Sequence, residues 1–349
     1  MSLNDATSNS SARTNEERRR AYLCWGVILV GLTCLYPLQA RFDATFQSSR
    51  AVEETLYIRS GETVRRLSFG FDGVVSDLYW IRTVQYFGRK LTGGLTGEGA
   101  VDFSRLSKDD MPILAPMLDI TTTVDPNFVA AYRTGAIFLA EFDYDAALAL
   151  LRKGIAAQKD QKTLFRMWSD YGAICWRAKR YDECAEAYQR ASELALGSKD
   201  RDWTAVMVGA AKTRGGDRRT SYLLFQQLRD EAEHEGARLG AEWRLQQLTS
   251  LDEREFMTRM IARFREIHQR NPATFSEVFP LIAEHRAEAY DALGRPLALF
   301  HEEFSRRFSR YDRLPLDPSG EPYRYDPVRG CIGLGAASRV ARDLEEACP

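Results

Sequence analysis

The chain has few histidines and no closely spaced cysteines, although these residue types commonly bind zinc in proteins. Its 349 residues include four histidines and six cysteines. No Cys-x-x-Cys or His-Glu-x-x-His occurs, and no group of these residues has the spacing of zinc ligands. We therefore expect no metal and no cofactor, and we expect ordinary surface or partly buried roles for His234, His268, His285 and His301.

Motifs of nucleotide-binding and hydrolytic enzymes are also missing. The stretch TGGLTGEGA at residues 92–100 is not followed by Gly-Lys-Ser or Gly-Lys-Thr, so a phosphate-binding loop is not indicated. The Gly-x-Ser-x-Gly pattern of hydrolases is absent. Acidic pairs such as Asp109-Asp110 are ordinary at the start of a helix. The sequence therefore predicts a protein that is not an enzyme.

A strong net charge is missing as well. The 48 lysines and arginines balance 49 acidic residues, which gives a formal charge of −1 at pH 7. Because nucleic-acid binding depends on a basic surface, we expect no nucleic-acid partner. The charges alternate in sign along the chain, as on solvated helices, and the 44% hydrophobic content is enough for a packed core.

One segment lacks charge completely. Residues 21–40, AYLCWGVILVGLTCLYPLQA, span about 30 Å as a helix, which matches the hydrocarbon thickness of a bilayer. Arg18, Arg19 and Arg20 precede this run, and the positive-inside tendency places them in the cytoplasm. We interpret the run as a single-pass signal anchor in a bacterial inner membrane, with the bulk of the chain periplasmic or otherwise extracytoplasmic.

Other interpretations of this run remain open. Leu38-Gln39-Ala40 is a poor site for signal-peptide cleavage, and Leu32-Thr33 is unsuitable before a lipoprotein Cys34. A buried globular helix is disfavoured because the run has no polar face. If the bulk of the chain is extracytoplasmic, Cys331 and Cys348 are candidates for a disulfide, although free cysteines are an equal alternative.

A repeat of 37 residues organises the middle of the chain. Gly135, Gly172 and Gly209 are separated by this interval. The small residues Ala147, Cys184 and Ser221 keep the same interval, and so do the large residues Leu151, Tyr188 and Phe225. A fixed period of this size indicates stacked supersecondary units that bury their apolar faces against each other.

Each unit reads as two helices joined by a turn. The pairs that we predict are 128–140 with 143–155, 164–178 with 181–195, and 203–213 with 218–233. A helix at 74–90 precedes them, and we expect its aromatic side to pack on the repeats. Helical spacing also predicts a helix at 109–124 and, after the repeats, another at 252–269 with an apolar stripe of Met257, Met260, Ile261 and Phe264.

The second unit resembles the tetratricopeptide repeat, whose pattern places a tryptophan, a tyrosine and small residues at fixed positions. It has Trp168, Tyr171, Gly172, Cys184 and Tyr188 at these positions. The resemblance covers about a third of the chain and implies an all-α, TPR-like solenoid of helical hairpins that binds a protein or peptide. Because 37 exceeds the 34 residues usual for the family, we expect longer loops near 158–163 and 197–201.

The C-terminal part has a different composition. Thr274 and Glu277 form a capping box that predicts the start of another helix. Residues 323–325 and 331–334 read as two short strands around a turn at 326–330. The segment Asp-Pro-x-Gly-x-Pro-Tyr that precedes the turn is similar to a C-terminal segment of type II secretion pseudopilins, but it is too short to carry that assignment.

These features predict six parts of the chain. They are a disordered cytoplasmic tail (1–20), the transmembrane anchor (21–40), a helical N-terminal cap (63–124), the TPR-like repeats (125–240), C-terminal helices (241–310) and a Pro/Gly-rich tail with a small β-hairpin (311–349). The anchor is followed by the aromatic helix at 74–90, the repeats and the Pro/Gly-rich tail. This order looks like that of uncharacterised membrane-anchored repeat proteins of bacteria.

The resemblance also suggests a binding surface, because the first helix of each tetratricopeptide hairpin lines the groove of the array. Projection of the three units onto that arrangement gives a candidate peptide-binding groove of Tyr132, Arg166, Ser169, Trp176, Arg177, Trp203 and Arg214. Aromatic residues beside arginines suit an extended peptide with acidic groups or a free carboxylate. Packing of the tryptophans between units is an equally good interpretation.

Two hypotheses follow. The first is a non-catalytic, membrane-anchored scaffold whose groove binds a protein or peptide partner in the cell envelope. The second is a structural subunit of a larger membrane or secretion complex, bound through Trp80, Tyr86 and Phe87 of the N-terminal aromatic helix.

Overall fold

The computed structural model describes residues 58–93, 107–301 and 314–342, together with residue 56 and the separate positions 25, 26, 33, 37 and 41. The chain divides into two units, Met1–Tyr57 and Ile58–Pro349. All elements named below belong to the second unit, which is mostly helical in its described ranges.

Several predicted features fall outside the described residues. These are the cytoplasmic tail, nearly all of the membrane run at 21–40, most of the glycine-rich stretch and Cys348. In the described part of the chain, no helix combines the length and the apolar composition needed to cross a membrane. The membrane anchor therefore stays a prediction.

The described helices and strands follow one another along the chain, with three short 3-10 turns at Lys108–Asp110, Phe275–Val278 and Arg286–Glu288. They are α1 (Gly61–Leu67), α2 (Asp72–Gly93), α3 (Leu114–Val124), α4 (Val129–Ala140), α5 (Tyr144–Ala157), α6 (Gln161–Arg177), α7 (Tyr181–Leu194), α8 (Ser198–Arg214), α9 (Arg218–Glu231), α10 (Glu235–His268), α11 (Phe279–His285), α12 (Ala298–His301), β1 (Arg324–Asp326) and β2 (Cys331–Gly333).

The 37-residue interval is visible in the helix boundaries. Helices α6, α8 and α10 begin 37 residues apart, and so do α5, α7 and α9. Every connection from α4 to α10 is three residues long. The prediction of longer loops is therefore wrong. The residues by which the repeat exceeds 34 lie in the first helices, since α6 and α8 have 17 residues each. Asp160 caps the start of α6, because its carboxylate accepts a hydrogen bond from the Thr163 backbone N–H at 2.8 Å.

Helix α2 packs its aromatic side against the start of the repeats, as predicted. The ring of Trp80 is stacked on Phe138 with centroids 6.2 Å apart, and Phe87 is stacked on Phe138 at 4.1 Å. Tyr86 and Phe87 are buried. The helix is longer than predicted, and the predicted helix at 109–124 is interrupted, because a 3-10 turn precedes α3.

Helix α10 corresponds to both helices of a fourth unit fused into one. It begins 37 residues after the start of α8, where the period predicts the start of a first helix. It ends 37 residues after the end of α9, where the period predicts the end of a second helix. The two preceding turns place Lys179 (φ 59°) and Gly216 (φ 89°) in the left-handed region. The equivalent residue of the fourth unit, Glu253, is helical and 1% exposed, so the chain continues straight. The predicted boundary at 240/241 falls inside this helix.

The second half of α10 carries a separate hydrophobic core with the C-terminal segment. Phe256, Met257, Met260 and Ile261 pack with residues of the following turns and of β2, which confirms the predicted stripe. The capping box at Thr274 and Glu277 starts a 3-10 turn. The predicted hairpin is also confirmed, since β1 and β2 pair antiparallel with Tyr325 opposite Ile332.

Candidate interaction surface on the first helices

The structure does not bring the seven predicted groove residues together. Arg166 and Ser169 lie in the first half of α6, and Trp203 lies in the first half of α8. Trp176, Arg177 and Arg214 lie in the last turn of these helices. At 1.5 Å per residue, the residues of the two groups on the same helix are separated by about 10 to 16 Å along the helix axis. They are therefore two different regions of the surface.

Tyr132 belongs to neither region. Its side chain is 0% exposed, and its hydroxyl donates a hydrogen bond to the backbone oxygen of Thr122 at 3.2 Å. Its ring also occupies the space beside Gly154, where an added Cβ would lie 2.8 Å from it. Tyr132 is thus a core residue that joins α4 to α3 and α5, and it cannot line an open groove.

The last-turn residues connect neighbouring units. Arg177 makes a bidentate ion pair with Glu141 in the turn after α4, at 2.9 and 3.0 Å. The guanidinium of Arg214 lies 5.9 Å from the centre of the Trp176 ring, and Trp176 packs edge-on against Tyr181 at 5.8 Å. Because both arginines reach back to the preceding unit, their shared position has a structural explanation.

Two of the three first-half residues are exposed. Arg166 is exposed, and Trp203 is 48% exposed, with one edge of its ring against Tyr188 at 5.6 Å. The hydroxyl of Ser169 donates to the backbone oxygen of Phe165 in its own helix. Arg166 and Trp203 are each the sixth residue of their helix. The sixth residue of α10 is Gly240, which the sequence analysis did not include.

A cleft of about 230 Å³ opens beside Trp203, between the first turns of α8 and α10. Gly236 and Gly240 lie one helical turn apart on α10, so no side chain of these two positions fills the space. A Cβ built on Gly240 would meet nothing within 4 Å. The cleft is mostly apolar and is lined by Lys199, Asp200, Trp203, Val206, His234, Gly236, Ala237 and Gly240.

The walls of the cleft are held in place by a buried carboxylate. Asp202 is 7% exposed, and its Oδ2 accepts a hydrogen bond from the backbone N–H of His234 at 2.9 Å. This bond ties α8 to the residue that precedes α10. The cleft therefore exists between two anchored helices and does not need a rearrangement to open.

Further apolar side chains extend the surface along α10. Leu239 is 51% exposed and Trp243 is 62% exposed. Trp243 is the ninth residue of α10, the position that Ser169 and Val206 hold in α6 and α8. The sequence contained the signal for this region, because the 37-residue interval connects Trp203 to Gly240 and Val206 to Trp243.

Two other cavities, of about 240 Å³ each, are polar. One contains Asp252, which accepts hydrogen bonds from Arg218 at 2.8 Å and from the Tyr222 hydroxyl at 3.0 Å. Burial raises the pKa of the Asp252 carboxyl, and Arg218 opposes that shift. Since these groups already satisfy one another, the cavity presents no open catalytic constellation. Within the described residues, no three His, Cys, Asp or Glu side chains come together as a metal site.

No protein-family model matches the sequence, and no curated protein matches it either. The assignment of a function therefore depends on the geometry of the surface itself.

Proposed function

We propose that the protein is a non-catalytic scaffold that binds an extended segment of a partner protein in the cleft between α8 and α10. The observation that carries the proposal is the half-exposed Trp203 beside a preformed apolar cleft with a glycine floor. Exposed tryptophans next to pockets are frequent hot spots of protein interfaces.

A TPR-like solenoid is the architecture that we propose for α4 to α10. Its support is the 37-residue register of the helices, the uniform three-residue connections and the packing of Gly172 against Tyr188. In such arrays the first helices of successive units form a continuous binding surface. Arg166, Trp203 and Gly240 hold equivalent positions on three such helices.

The chemistry of the cleft favours a particular kind of segment. Trp203, Val206 and Ala237 suit one aliphatic or aromatic side chain of the partner. Lys199 and Asp200 both line the cleft, and Arg166 holds the position equivalent to Trp203 on the preceding first helix. We therefore propose an extended peptide with an apolar anchor residue and an acidic group or free carboxylate nearby.

We also propose that the protein is anchored in the bacterial inner membrane by residues 21–40, with the repeats outside the cytoplasm. The arginines before this run support the orientation. Cys331 is disulfide-bonded, whereas Cys175 and Cys184 are free. Disulfides persist mainly in oxidising compartments, which agrees with an extracytoplasmic location.

The second hypothesis needs a correction. Tyr86 and Phe87 are 3% and 8% exposed, and Trp80 packs on Phe128 and Phe138. Trp80 and Phe87 pack on the repeats, and the buried Tyr86 donates its hydroxyl to the backbone oxygen of Asp110, so the three residues do not form an open docking surface. Membership of such a complex requires a different surface.

Gly240 offers a test that leaves the fold intact. Gly240→Leu should fill the cleft, while Gly240→Ala makes the same backbone change with a minimal side chain and serves as the matched control. Charge reversal at Arg177 or Arg214 is less suitable, because both residues hold neighbouring units together.

A display library of random peptides is selected against the full chain, with the Gly240→Leu chain in the counter-selection. We expect peptides that bind the unmodified and Gly240→Ala chains equally and bind Gly240→Leu at least tenfold more weakly. Peptides that bind all three chains equally, or a failure to enrich any peptide, would refute the cleft as a binding site.

A further inference from the structure

Helix α2 has a second apolar face, opposite to the aromatic side that packs on the repeats. Val74, Leu78 and Ile81 recur at helical spacing and are 59%, 61% and 51% exposed. The residues just before the helix extend this surface. We refer to the whole set as the apolar face of α2, which consists of Leu67, Phe69, Phe71, Val74, Leu78 and Ile81.

The turn between α1 and α2 holds two phenylalanines in solvent. Phe69 is 84% exposed and Phe71 is 68% exposed. Phe69 has φ 50°, a conformation that is rare for a bulky residue, and Gly70 follows with φ 91°. Since outliers of this kind concentrate at functional sites, the conformation supports a role for the exposed ring.

The turn has a fixed conformation. The buried Ser68 hydroxyl donates to the backbone oxygen of Arg65 at 2.6 Å and is hydrogen-bonded to Asp72. The backbone N–H of Phe71 donates to the oxygen of Ser68 at 2.9 Å. These bonds keep the two rings pointing outward, so their exposure is a property of the folded turn.

Charge at the end of this face suits anionic headgroups. Residues 58–72 contain Arg59, Arg65 and Arg66 beside Glu62 and Asp72, and all three arginines are exposed. Arg65 lies 3.9 Å from Asp72, whereas Arg59 and Arg66 face solvent. Exposed aromatic rings beside basic residues are typical of segments that lie in the interface of a bilayer.

The position of the face in the chain supports the same occupant. Residues 41–66 separate Leu67, the first residue of the face, from the end of the proposed membrane anchor. Even fully extended, these residues reach about 90 Å. The chain therefore tethers the apolar face of α2 to the proposed anchor, and such a tether raises the effective concentration of lipid around an exposed apolar patch.

We infer that the apolar face of α2 lies in the headgroup region of the membrane, with Phe69 and Phe71 inserted and the neighbouring arginines on anionic lipid. The inference rests on the membrane anchor of the proposed function, and it is independent of the cleft beside Trp203. It fixes the first element of the second unit at the membrane surface.

The test measures the surroundings of single positions in the intact protein. Phe69→Cys and Phe71→Cys chains of full length carry a nitroxide spin label and are reconstituted in nanodiscs of phosphatidylcholine and phosphatidylglycerol. Leu223→Cys on α9, 53% exposed in the parent chain, is the matched control. The parent chain, treated with the same label, gives the background from native cysteines.

We expect labels at 69 and 71 to be several times more accessible to lipid-soluble oxygen than to a water-soluble nickel chelate, and the label at 223 to show the reverse. Chelate accessibility at 69 and 71 equal to that at 223 would overturn the inference. So would shielding from both reagents, which indicates a protein cover. A chain that does not enter the nanodisc would refute the anchor itself, separately from the docking of this face.

Discussion

At the scale of the residue, the recurring glycines are contact points between paired helices. A Cβ on Gly172 would lie 2.8 Å from the ring of Tyr188, and a Cβ on Gly209 would lie 2.6 Å from the ring of Phe225. Both rings are fully or nearly fully buried. The sequence showed that the glycine and the large residue return at the same interval, but it did not predict that the two are in contact. It could not predict the role of Gly240, which creates space instead of close contact.

Gly172→Ala and Gly240→Ala should therefore have effects of opposite sign. Overpacking costs about 1–3 kcal/mol, whereas alanine gains about 1 kcal/mol over glycine inside a helix. Because the Tyr188 ring cannot move away, we expect Gly172→Ala to lower the free energy of unfolding by about 1–2 kcal/mol and Gly240→Ala to raise it slightly. Urea unfolding measures both changes, and a stabilised Gly172→Ala chain would contradict the proposed contact.

Two buried cysteines give a prediction for alkaline pH. Cys175 and Cys184 are 0% exposed and free, and burial raises the pKa of each thiol from 9.0 to about 12. A raised thiol pKa favours the protonated, folded form, so this contribution is complete below about pH 9 and is lost as the pH rises toward 12.

We expect the urea midpoint of the chain to fall between pH 8 and pH 10. The fall should be smaller in a Cys175→Ala/Cys184→Ala chain, because these thiols no longer ionise on unfolding. Equal pH dependence in the two chains would show that the thiols do not contribute. Tyrosines also have raised pKa values, but their ordinary value of 10.0 places their main effect above this range.

At the scale of the element, the decisive feature is the straight course of α10. The period predicted the first helix of each unit but not its length. Helix α6 begins at Gln161 because Asp160 caps it through the Thr163 backbone N–H, and apolar spacing alone does not show this contact. The continuation of α10 through Asp252 and Glu253 was also missed. The predicted helix began at Asp252, whereas both carboxylates lie buried inside α10 and have partners in the part of the chain that follows it.

Asp252 should be essential to the packing of α10 against α9 and against the residues around Ala292. Its carboxylate accepts from Arg218, from the Tyr222 hydroxyl and, at 3.1 Å, from the backbone N–H of Ala292. Asp252→Ala leaves the Tyr222 hydroxyl and the Ala292 N–H without this acceptor, while Arg218 keeps Glu255. Loss of one member of a buried charged network costs about 3–5 kcal/mol. We expect that loss in urea unfolding of Asp252→Ala.

Glu255→Ala is the matched control for Asp252→Ala. Glu255 also pairs with Arg218, at 2.6 Å, but its side chain is 52% exposed. Exposed ion pairs contribute about 0–1 kcal/mol, so this variant should lose little stability. Equal losses in the two chains would argue against a special role for the buried carboxylate.

At the scale of the whole molecule, the packed helices need a cover at each end, as stacked repeats generally do. The aromatic side of α2 covers α4, and the C-terminal segment covers the second half of α10. The sequence predicted the N-terminal cover and the all-α class, but it did not predict that the C-terminal segment packs on α10. It did not predict the cleft, because the cleft depends on the start of α10 and on Gly236 and Gly240. These two glycines lie in a polar helical stretch, where the sequence alone gives them no special role.

The most direct measurement of the central claim is photo-crosslinking from position 243 in the full chain. A photoreactive phenylalanine analogue replaces Trp243, three residues after Gly240 and 62% exposed in the parent chain, and the same analogue replaces Leu223 on α9 as the control. We predict that position 243 crosslinks to one discrete segment of a partner, that position 223 does not, and that Gly240→Leu abolishes the product while Gly240→Ala preserves it. Crosslinks that are the same from both positions, or that persist in the Gly240→Leu chain, would contradict binding in the cleft.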